Sequence, residues 1–119
     1  MHHAAQAYGN VAKQTSSPRE MEASLLLKAA ARLQAVSESW GSREQIDEAL
    51  LYNRKLWAIF LTSVTRAENP LPDLVRQNIA NLGVFVMNQT ISLMTEPRRE
   101  KLAPLININR ELAAGLMGR

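Results

Sequence analysis

Between Ile46 and Val64 the apolar residues recur at helical spacing with a single interruption. Ile46, Ala49, Leu50, Leu56, Trp57, Phe60 and Val64 fall on one broad stripe, and Asn53 sits in the middle of it. The thirteen residues from Ala49 to Leu61 hold one of two tryptophans, one of two tyrosines and one of two phenylalanines. A helix with so wide an apolar face must be covered by other elements, so this segment dictates packing around itself. Asn53 must find partners there, because burying an unpaired amide costs about 1–3 kcal/mol.

At 119 residues the chain is expected to form one domain, 1–119. It is 46% hydrophobic and 21% charged, a globular balance. Two each of Trp, Tyr and Phe are too few to fill a core, which must rest on aliphatic side chains. The expected fold is all-α, a compact bundle of four to five helices over about 2–14, 18–38, 43–66, 72–94 and 97–116. No cysteine is present, which excludes disulfides, thiolate catalysis and Cys-based metal sites and fits a reducing compartment. The start Met-His-His-Ala-Ala-Gln is unlike a signal peptide, and no apolar run approaches the roughly 20 residues that span a bilayer. A cytoplasmic protein is expected.

Helix starts are written clearly. Ser17-Pro18-Arg19-Glu20 combines a cap, a first-position proline and a capping-box acid, and Ser42-Arg43-Glu44-Gln45 repeats the cap. Trp40-Gly41 ends the first of these helices. Asn69-Pro70-Leu71-Pro72 forces an extended, stiff connection. The next helix has Leu74, Val75, Ile79, Leu82, Phe85, Val86 and Ile91 as its expected apolar face, with Gly83 marking a close crossing. Gly83-Val84-Phe85-Val86-Met87 could pass for a strand, but the longer helical period around it prevails. Pro104 is expected to kink or restart the last helix, whose seam is Leu105, Ile108, Leu112 and Leu116. Residues 2–14 have a weak apolar face of Ala4, Ala7, Tyr8 and Val11.

The inventory speaks against an enzyme. Both histidines, His2 and His3, are adjacent and near the start, and read as a solvated tail. No phosphate loop, metal-ligand spacing or cofactor motif occurs. Glu20 with Glu22, and Glu44 with Asp47 and Glu48, lie at helix starts, where the helix dipole favours acids. The net charge is +3, and the one basic cluster, Arg98-Arg99-Glu100-Lys101, reads as a solvated helix end before it reads as a phosphate patch.

An excess of asparagine on apolar faces remains: Asn53, Asn78, Asn81, Asn88 and Asn109. They either pair across helix seams or line a groove for another chain's helix, where a buried amide selects register and partner. Trp57 and Phe60 divide in the same way between core and interface anchor.

Five words occur in order: Pro18-Arg19-Glu20-x-Glu22-Ala23, Tyr52-Asn53-Arg54-Lys55-Leu56-Trp57, Asn69-Pro70-Leu71-Pro72, Asn78-Ile79-Ala80-Asn81-Leu82-Gly83-x-Phe85-Val86 and Ile106-Asn107-Ile108-Asn109-Arg110. In this the chain resembles the flagellar biosynthesis regulator FlaF family of alphaproteobacteria, from Tyr8 to Gly115, with Pro104 a local departure. The resemblance implies a flagellin-binding chaperone that supports flagellin secretion and thereby regulates flagellin synthesis and flagellum assembly. The alternative is a translational regulator acting on flagellin mRNA directly or through the partner regulator FlbT. No small-molecule substrate and no membrane insertion are expected. The residues expected to carry partner contact are Tyr52, Asn53, Trp57, Phe60, Asn78, Asn81, Phe85 and Asn109.

Overall fold

A computed structural model describes residues 17–118. It contains four α-helices: α1 (Pro18–Glu38), α2 (Arg43–Val64), α3 (Asp73–Thr95) and α4 (Leu102–Leu116), with a 3-10 turn at Arg99–Lys101 just before α4. No strand occurs among the described residues, and Gly83–Met87 lies inside α3. The helix expected over 2–14, and Tyr8 with it, lies outside the described residues.

Local chemistry sets the boundaries. Ser17 Oγ accepts from the Glu20 amide at 3.1 Å with Pro18 in the first turn, and Ser42 Oγ accepts from the Gln45 amide at 3.2 Å. Each bond satisfies a first-turn N–H that has no partner within the helix. Gly41 follows α1 with φ of 150°, a conformation that side-chain-bearing residues rarely adopt. The turn between α2 and α3 is fixed by more than its two prolines. Asn69 Nδ2 donates to Ser63 O at 3.2 Å and to Ser63 Oγ at 3.1 Å, while its Oδ1 accepts from the Leu71 amide at 3.0 Å. This local bonding ends α2 at Val64, two residues before the expected end.

Pro104 restarts the last segment and does not kink it. The 3-10 turn occupies Arg99–Lys101, and Pro104 then falls in the first turn of α4. Amides in a first turn have no partner carbonyl within the helix, so the missing N–H does no harm there.

Helix α1 lies against both α4 and α2, and α2 in turn carries α3. The slab measures 43 × 42 × 23 Å, about two helix diameters deep. Its core runs through Leu26 and Leu33 of α1, Leu50 and Trp57 of α2, Val86 and Leu93 of α3, and Leu102 and Leu105 at the start of α4, all essentially without solvent contact. Two arginines fasten the α2–α3 hairpin at opposite ends. Arg43, at the start of α2, donates to Met94 O near the end of α3. Arg76, at the start of α3, donates to Arg66 O at 2.8 Å and Val64 O at 3.4 Å at the end of α2, and pairs with Asp73. Each cation meets carbonyls at a helix C-terminus, where the dipole favours positive charge.

Candidate partner-binding face

Four of the eight residues expected to touch a partner are interior. Asn53, Trp57 and Asn109 have no solvent exposure and Phe60 almost none. Trp57 Nε1–H donates to Asn109 Oδ1 at 2.9 Å, and Asn109 Nδ2 donates to Asn53 Oδ1 at 2.7 Å. The relay ties α2 to α4. The Phe60 ring packs on Trp57 with centroids 5.8 Å apart and planes tilted by 56°. These side chains are taken up by the fold and cannot meet a partner on this surface. The reason is the width of the α2 stripe: a helix flanked by three others hides every position on it. For Asn53 and Asn109, pairing across a seam is the observed arrangement.

The expected apolar face of α3 is only partly buried. Ile79, Gly83, Val86, Thr90 and Leu93 form the narrow buried stripe, and Thr90 satisfies its hydroxyl on Val86 O at 2.6 Å. Leu74, Val75, Leu82, Val84, Phe85 and Ile91 remain exposed, Leu74 at 73% and Phe85 at 47%. Close approach of α2 explains the glycine: a Cβ on Gly83 would come within 2.8 Å of Leu61 Cγ and closer still to Cδ2.

Asn78, Asn81 and Phe85 therefore stand on the surface. Asn78 makes no buried pair, contrary to one reading of its position, and Asn81 Oδ1 accepts only from the neighbouring Gln77 at 3.1 Å. Leu74, Asn78, Asn81, Phe85 and Asn88 follow one another at steps of four and three along the outer face. That spacing makes a continuous seam on a helix, of the kind that pairs with a second helix. From Gln77 to Thr95 the helix carries no charged residue at all. A solvent-facing helix surface is ordinarily charged, whereas interface cores are depleted in charge and enriched in aromatics. This uncharged run is the feature of the sequence that marks the face, which apolar positions alone do not.

Tyr52 is half-buried at a different place. The Arg32 guanidinium of α1 lies 4.3 Å from its ring centroid, so α1 and the outer side of α2 meet there. Glu22 of α1 is partly buried, and that burial raises its carboxyl pKa, with Arg19 opposing the shift. Arg98 is exposed and pairs with Glu96 at 3.3 Å. Among the described residues no group of three or more His, Cys, Asp or Glu could hold a metal ion, and no helix is long and apolar enough to cross a membrane.

Fold and face together define the class: an all-α bundle presenting one uncharged, half-apolar helix face. A family model described as flagellar protein FlaF matches residues 4–116, and the chain belongs to that family. A flagellar role follows from membership. Neither the curated proteins nor the solved structures give a match.

Proposed function

We propose that the protein binds newly made flagellin in the cytoplasm, keeps it competent for secretion, and thereby regulates flagellin synthesis and flagellum assembly. The observation that carries this reading is the outer face of α3, exposed, uncharged from Gln77 to Thr95 and seamed by Leu74, Asn78, Asn81, Phe85 and Asn88. In this proposal unpolymerised flagellin offers terminal segments that are disordered until paired, with apolar faces that need cover. Helix-in-groove packing supplies that cover. The three amides set register, since an apolar partner residue placed over Asn78 or Asn81 would strip its water without replacing the hydrogen bonds. Ordering a disordered guest costs several kcal/mol, about 2–5, which leaves a complex that can release its cargo at export.

The second reading, contact with flagellin mRNA directly or through FlbT, draws on Arg98, Arg99 and Lys101. Glu96 and Glu100 interleave with these cations and Glu96 engages Arg98. Such a mixed cluster is a poor phosphate track. Co-expression with flagellin followed by co-purification tests the first reading, and salt separates the two. Phosphate contacts weaken steeply between about 50 and 200 mM salt, while contact through an uncharged face holds. Failure of two soluble, folded proteins to co-purify contradicts the chaperone reading.

A further inference from the structure

A second surface, on α2 with Arg32 of α1, has different chemistry. Glu48, Tyr52, Lys55, Ile59, Thr62 and Arg66 succeed one another at steps of four and three along the outer side of α2 and just past its end. The row is about 27 Å long at 1.5 Å per residue. Two shallow depressions open on it. One is lined by Arg32, Glu48, Leu51, Tyr52 and Lys55, the other by Ala58, Ile59, Thr62, Ser63 and Arg66. Ile59 is 67% exposed. Arg32, Lys55 and Arg66 are exposed and take part in none of the ion pairs among the described residues, which engage Arg43, Arg76 and Arg98 instead.

We infer that this row is a docking site for an acidic amphipathic helix, distinct from the α3 face. Charge complementarity selects the occupant. Unpaired cations flank an apolar centre, so a guest helix that places an aliphatic residue on Ile59 and carboxylates toward Lys55, Arg66 and Arg32 satisfies both. Glu48 at one end favours a basic residue on the guest there and so fixes its direction. RNA fits the row less well. The one aromatic ring has a face already covered by the Arg32 guanidinium, leaving it unable to stack a base on that side, and Glu48 repels phosphate. The first sixteen residues of the chain itself contain Lys13 and neither Asp nor Glu, so they lack the complementary charge.

The test uses the full-length protein and a fluorescein-labelled helical peptide of about 20 residues, long enough to cover the row. The peptide has a leucine stripe flanked by glutamates and one terminal lysine. The expected result is saturable anisotropy with the acidic peptide. Lys55→Glu with Arg66→Glu, and separately Ile59→Ser, should weaken it about tenfold or more. All three positions are exposed, so circular dichroism should be unchanged, and Phe85→Glu should leave the affinity unaltered. The inference is overturned if the acidic peptide does not bind, or if a version with lysine in place of glutamate binds equally well. It is likewise overturned if a single-stranded RNA or a peptide of residues 1–16 binds in preference, or if Phe85→Glu abolishes binding while the α2 variants do not. None of these outcomes depends on whether flagellin is the guest of α3.

Discussion

Asn109 is the residue on which the α2–α4 seam depends, because it serves two partners at once. Asn109→Leu keeps the branched shape but strands the Trp57 N–H and the Asn53 carbonyl, at about 1–3 kcal/mol for each stranded group. Asn53→Leu strands only the Asn109 amide and removes a buried Nδ2 that has no partner among the described residues, so it should destabilise less. The double Leu variant leaves only the indole N–H unmet and should be more stable than Asn109→Leu alone. Urea denaturation of the three variants checks this order. Glu22 gives a pH prediction. Its folded-state pKa lies above the unfolded one, so ionisation opposes folding and the penalty is present once pH exceeds both values. Glu22→Gln should therefore raise the melting temperature near pH 7 and leave it unchanged near pH 3, where the carboxyl is protonated in the folded and the unfolded state alike. At this scale the sequence announced that Asn53 needed a partner, since it interrupts an apolar stripe. It could not say that the partner is Asn109, because that depends on how α4 slides along α2.

Among the elements, α3 is held mainly through one neighbour, and its grip on α2 has a shape component and a charge component. Gly83→Ala should gain about 1 kcal/mol of helix propensity and lose more to the collision with Leu61, for a net loss of about 1–2 kcal/mol. Combining it with Leu61→Ala should relieve the collision, so the double variant's loss falls short of the sum of the two single losses, measurable as a double-mutant cycle. Arg76→Met releases two carbonyls at the end of α2 and should lower stability by about 1.5–3 kcal/mol. Element boundaries were legible wherever a cap residue announced them, at Ser17 and Ser42. The orientation of α3 was not. Apolar residues lie all round this helix, so its periodicity is blurred, and the face it buries is the one on which Gly83 admits Leu61.

For the whole molecule, the same ambiguity is what leaves a helix face open. The bundle class and the role of Ile46–Val64 as its central element followed from residue spacing. The division of the candidate site into a buried half (Asn53, Trp57, Phe60, Asn109) and a surface half (Asn78, Asn81, Phe85, with Tyr52 elsewhere) needed the packed structure. Trp57→Ala and Phe60→Ala should accordingly unfold or strongly destabilise the protein, by about 3–5 kcal/mol, and lose flagellin only as a consequence. Asn78→Leu should retain the fold and alter flagellin binding. The most direct measurement is co-purification of flagellin with a Leu82→Glu, Phe85→Glu double variant, monitored alongside circular dichroism. Unchanged helicity and melting temperature with flagellin lost is the predicted result. Undiminished capture of flagellin by the folded variant would contradict the assignment of α3 as the guest-binding face.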